Sequence, residues 1–197
     1  LSDWSSDVCS SDLGERGRGA LALGLGQTVK KFDKNGKLLM TLGTPGVSGK
    51  DATHFNAPSD VAVAANGDIF VADGHANGTN ERIVKFDKNG KFIKEWGHPG
   101  SGPGAFSTTH AIEIDARGRV FVANRDNNRI DIFDQDGKFL DSWEQFSRPA
   151  GIGFNARGDM VVCDSESGSV SETHQDWTRG MRVGSVNDGS VKYLIPD

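Results

Sequence analysis

THAIEIDARGRVFVANR (109–125) decides the fold. Two short apolar runs flank Ala116-Arg117-Gly118, and alternating or β-branched runs on either side of a Gly-containing turn read as an antiparallel hairpin. Such pairing sets the first residue of one run beside the last of the other, so His110 and Arg125 are expected to share one rim. A metal-ligand type and an anion clamp meet there.

The same unit recurs as DVAVAANGDIFVAD (60–73) and GIGFNARGDMVVCD (151–164). A second hairpin alternates with it, as FDKNGK at Phe32–Lys37 and Phe86–Lys91 and as FDQDGK at Phe133–Lys138. Each period of about 40–50 residues therefore holds four short strands bounded by Gly, Asn or Asp, the pattern of a β-propeller blade. Strands are expected near 60–64, 69–73, 82–87 and 91–97, then 111–115, 120–124, 129–134 and 138–143. A third set falls near 151–155, 159–164, 180–186 and 190–195, while residues 28–43 supply only the outer hairpin of an earlier blade. Asn66-Gly67, Asn89-Gly90 and Asp136-Gly137 suit tight hairpin turns with positive φ.

The reading is thus all-β: an incomplete β-propeller, an open arc of three four-stranded antiparallel blades plus the outer hairpin of another. The expected divisions are 14–58 as partial blade and linker, then blades at 59–109, 110–149 and 150–197. Closed propellers have 4–8 blades, so the arc reads as a piece of a larger ring. Its end blades would expose apolar faces liable to self-associate, whereas the full-length protein is expected to be a monomer.

Composition agrees. The 197 residues carry a net charge of −5 and are 36% hydrophobic, with 26 Gly against three Met, which favours strands and turns in one globular unit. The acidic balance argues against nucleic-acid binding, and no apolar run approaches the ~18 residues a membrane span needs. Residues 1–13, LSDWSSDVCSSDL, resemble the translation of a sequencing adapter and are expected to be an artefact without order. The native N-terminus would then be missing, which leaves the compartment unreadable, with secretion or a periplasmic site compatible.

The blades resemble NHL repeats, and HFNAPSDVAV (54–63), VADGH (71–75), RIVKFDKNGKFIKEWG (82–97), GPGAF (102–106), HAIEI (110–114) and VANRDNNRI (122–130) narrow the match. Over roughly residues 28–197 the chain is similar to peptidyl-α-hydroxyglycine α-amidating lyases and related six-bladed bacterial propellers. That resemblance implies a zinc held by histidines of different blades, a calcium deeper on the axis, an arginine gripping the substrate carboxylate and a catalytic tyrosine. Matched position by position, His110 falls on a zinc-ligand histidine and Arg125 on the carboxylate-binding arginine. His75 occupies the tyrosine's place, as a candidate acid/base group or metal ligand. Ala150 stands where the third blade would carry a counterpart of His110, and calcium ligands are not placed.

Each of these residues has a plainer reading. His110 alone suits a polar rim, Arg125 a salt bridge with Asp126 or Asp115, and His75 a loop hydrogen-bonder. His54, His98 and His174 fall in connecting loops, Trp96 and Trp143 pack between blades, and Cys163 aligns with Ala72 and Ala123 as a buried small residue. The resemblance implies a carbon–nitrogen lyase acting on a peptide or small carboxylate-bearing substrate, with the present chain inactive by itself. The alternative is a non-catalytic NHL propeller that binds a peptide, glycan or protein through its rim loops.

Overall fold

The computed structural model describes residues 26–197, apart from Asn77, Ala156 and 171–173, together with the strand Ser6–Asp7. No helix occurs among the described residues, and none is long and apolar enough to cross a membrane. In chain order the strands are β1 (Ser6–Asp7), β2 (Val29–Phe32), β3 (Leu38–Leu42), β4 (Pro58–Val63), β5 (Ile69–Asp73), β6 (Arg82–Phe86), β7 (Phe92–Trp96) and β8 (His98–Pro99). They continue with β9 (Ala105–Phe106), β10 (Thr109–Ile114), β11 (Val120–Asn124), β12 (Arg129–Phe133) and β13 (Phe139–Trp143). The last are β14 (Gly151–Phe154), β15 (Asp159–Asp164), β16 (Gly180–Ser185) and β17 (Val191–Pro196).

Three four-stranded antiparallel meanders, β4–β7, β10–β13 and β14–β17, are the blades. β2 and β3 form the outer hairpin of an earlier blade, with β1 paired on the β2 edge. Apart from β1, the stretch 1–13 and the start of the 14–58 unit lie outside the described residues. The short parallel pair β8–β9 pins the connection between the first two blades. Among the described residues no sheet closes into a barrel.

Strand alternation sends successive side chains to opposite faces, and each face meets a different neighbour. Val29 and Leu42 pack on Ile69, Val71, Val84 and Phe86 of the first blade. That blade's other face, with Phe70, Ala72 and Ile83, packs on Ile112, Val120, Val122 and Phe133 of the second. Phe121, Ile130, Ile132 and Trp143 then face Met160 and Val162 of the third. Trp96 and Trp143 lie in these seams as expected, Trp96 edge-on to Phe70 at 6.1 Å.

The innermost strands are stitched together directly. Ser59 Oγ donates to the Thr109 carbonyl, and Asp60 accepts the Ile112 amide at 2.9 Å.

One expectation needs correction. Cys163 is exposed rather than buried. Met160 and Val162 point back to the second blade, so alternation turns Val161 and Cys163 to the far face, with Met181, Tyr193 and Ile195 alongside. Among the described residues no further blade covers that face, and Tyr193 is 66% accessible. The outer turns have the expected positive φ at the glycine (82° at Gly90, 79° at Gly137) and not at the residue before it. The aspartate that opens each turn holds it closed: Asp87 Oδ1 accepts the Asn89 and Lys91 amides at 2.8 and 2.9 Å, as Asp33 and Asp134 do in their own turns.

Candidate functional site

His110 owes its position to a β-bulge. Thr109 pairs with Asn124 and Ala111 with Ala123, so His110 is the extra residue between them, and its side chain is turned off the regular sheet. Ser59 occupies the matching bulge of the first blade. These two inner strands consequently begin about two residues earlier than the alternation suggested, whereas the third begins at Gly151 as expected. Arg125 follows the last residue of β11 and donates its amide to the Thr108 carbonyl at 3.0 Å. His75, two residues beyond β5, donates its amide to Ala57 at 3.1 Å.

These loops bring the three expected residues together. The His75 and His110 ring centres lie 4.7 Å apart, the planes inclined at 49°. Burial lowers the His110 pKa to about 4, with Arg125 and His75 adding to the effect. His75 is lowered for the same reasons, burial first and Arg125 second. Both imidazoles are therefore neutral at physiological pH, the form that binds metal or accepts a proton.

Arg125 is half-buried, and burial pushes its guanidinium below the usual range, though Glu166 opposes the shift. Its buried Nε has no hydrogen-bond partner. Asp126 and Glu166 flank it at 3.8 and 3.7 Å, beyond hydrogen-bond distance. Asp115, the other acidic residue considered for it, pairs with Arg119 at 2.7 Å instead. The two flanking carboxylates are held by Arg148, whose Nε meets Glu166 at 2.7 Å and whose NH2 meets Asp126.

Arg148, Asp126 and Glu166 complete a cluster that residue-type reasoning left incomplete. The repeat itself carried a signal: Glu166 and Asp126 stand two residues beyond the strand-ending Asp164 and Asn124, as His75 stands beyond Asp73. The remaining histidines lie elsewhere, with His54 on Asp51 at 2.8 Å, His98 exposed and His174 tilted against Trp177.

As a metal site the donor set offers two nitrogens, which suit a borderline ion such as zinc. Two imidazoles bound tetrahedrally at ~2.0–2.1 Å hold their ring centres on the order of 5 Å apart. No group of three metal-binding side chains occurs among the described residues, so further ligands would have to come from outside this cluster.

Glu81 secures the scaffold beneath. It is buried, adopts a left-handed conformation (φ 50°), and its carboxylate accepts the Thr108 and Thr109 amides at 3.0 and 3.2 Å, just before His110. In the preceding blade Gln27 makes the equivalent contact, at φ 58°, accepting the Ala57 amide at 2.7 Å. Burial raises Glu81 to about 7. A carboxyl raised in the fold keeps a proton that the unfolded chain releases, so its contribution to stability falls as pH rises from about 4.5 to 7. The lowered histidines act in the opposite sense, which makes a comparison of variants the clean measurement. Glu81→Gln, by analogy with Gln27, is expected to retain the contact and to gain on wild type by on the order of 2–3 kcal/mol between pH 4.5 and 8 in urea unfolding. Parallel pH profiles for the two proteins would remove Glu81 from the balance.

Comparison with known proteins agrees with the repeat and the fold. No protein-family profile matches the chain. It is 37% identical over 102 residues to human NHL repeat-containing protein 3, covering 51% of this chain and 29% of the human protein. It is 50% identical over 68 residues to a probable peptidyl-α-hydroxyglycine α-amidating lyase of Caenorhabditis elegans, covering 34% of this chain and 19% of that protein. Among solved structures, hydrazine synthase of Kuenenia stuttgartiensis superposes with a TM-score of 0.60 at 17% identity, over 87% of this chain and 44% of its own. That likeness shows the fold alone, which is of propeller type. The repeats are similar to those of an NHL repeat-containing protein and of amidating lyases, and the matched stretches span under a third of either relative.

Proposed function

We propose that the full-length protein is a metal-assisted lyase that cleaves the C–N bond of a peptidyl α-hydroxyglycine, giving a peptide amide and glyoxylate. The observation that carries this reading is a pair of neutral, half-buried imidazoles beside a guanidinium whose Nε has no partner. Arg125 grips the substrate carboxylate, a task that suits the planar fork of a guanidinium. His110 would hold zinc, which supplies Lewis-acid polarisation of the substrate oxygen. His75, neutral at working pH, takes the hydroxyl proton as the C–O bond becomes a carbonyl and the C–N electrons pass to nitrogen. The same proton then goes to the departing amide nitrogen, so none is gained or lost overall. Calcium, implied by the resemblance, is assigned no ligands.

Glyoxylate release from a synthetic peptidyl α-hydroxyglycine tests this. Chelation should abolish turnover and re-addition of zinc restore it, while Arg125→Ala should lower kcat/KM on the order of 10²–10³-fold. No glyoxylate release by zinc-loaded protein refutes the lyase, and turnover indifferent to both changes refutes this metal-and-clamp site.

A second reading, a non-catalytic propeller that binds carboxylate-ended peptides, is favoured by the count of only two imidazoles in the cluster. Binding without turnover by zinc-loaded protein would select it.

A further inference from the structure

We propose that Arg148 is a positioning residue: it draws Asp126 and Glu166 away from Arg125 and so leaves that guanidinium open to an incoming carboxylate. The inference rests on the reading of Arg125 as an anion clamp, and it explains why two acidic neighbours have not already occupied it. Asp126 is engaged through both oxygens, Oδ1 by Arg148 NH2 and Oδ2 by Thr108 Oγ1 at 2.7 Å. Glu166 Oε2 accepts Arg148 Nε at 2.7 Å. The third arm of the same guanidinium, NH1, reaches the Arg125 carbonyl at 3.4 Å. One buried side chain thus holds both carboxylates and the backbone of the clamp.

Charge gives the arrangement its effect. Two guanidiniums and two carboxylates sum to zero, with the histidines neutral, so an anion approaches a balanced site. Without Arg148 the sum is −1, and carboxylates only 3.7–3.8 Å from Arg125 are free to close onto it. The approaching anion must then displace a charge-assisted pair and meet a surplus carboxylate.

The test uses the full-length protein with hippurate as the carboxylate probe, titrated calorimetrically. Arg148→Met is expected to weaken binding about 10–100-fold. Removing both carboxylate charges as well, in Arg148→Met/Asp126→Asn/Glu166→Gln, takes the sum from −1 to +1 and should recover most of that loss, although it puts back none of the contacts that Arg148 made. Equal affinity of Arg148→Met and wild type, or a triple variant as weak as the single one, overturns the positioning role. The second outcome would mark Arg148 as plain scaffold. Wild type that fails to bind hippurate, or that binds no better than Arg125→Ala, overturns the clamp itself and this inference with it.

Discussion

Replacing Arg82 with methionine is expected to cost about 3–5 kcal/mol, enough to unfold a marginal domain. Arg82 is a fully buried charged side chain at the root of the first blade. Its Nε meets Asp73 at 2.9 Å, NH1 meets Glu95, and NH2 reaches the carbonyls of Asp51 and His54 at 3.1 and 2.7 Å. It ties the blade to the connection that precedes it. Removal strands the buried Asp73 carboxylate, whose pKa burial already raises despite its partners. Urea unfolding reads the loss, and Arg82→Met/Asp73→Asn should recover some of it because the one charge then left without Arg82, Glu95, is 37% exposed to water. A loss under about 1 kcal/mol would show that water reaches Asp73.

Phe121→Ala should cost a similar amount, about 3–5 kcal/mol, through a different mechanism. The ring lies between the second and third blades, 5.6 Å from Trp143 and 5.3 Å from Phe154, with the Arg119 guanidinium 5.1 Å from its centre. Truncation removes apolar burial from both sheets and leaves a cavity that two rigid faces cannot close. Leu39→Ala, at an exposed outer position, is the control and should change the unfolding midpoint little.

Most of the fold was legible because its determinants are local. Alternation, glycine turns and the repeat fixed every blade strand to within about two residues. What escaped depends on neighbours in space. The bulges at Ser59 and His110 follow from inter-strand register, and the exposure of Cys163 follows from which blade stands beside it, so its alignment with Ala72 and Ala123 misled.

The candidate site was half legible. Hairpin pairing put His110 and Arg125 on one rim, and His75 was singled out by the family resemblance. Arg148 gave no such cue: it lies in a connection of varying length, and its meaning comes only from the two carboxylates it collects from separate blades.

The aspartate turns bear on how the chain reaches this structure. In the outer hairpins each turn is held by hydrogen bonds spanning no more than four residues, and within every blade the paired strands are consecutive. Closing such short loops costs little entropy, so the hairpins can zip up early and independently. The search that remains is the docking of one preformed blade on the next. That step is governed by the aromatic seams and by the inner-strand stitches of Ser59 and Asp60, so the kinetic barrier falls between blades rather than within them.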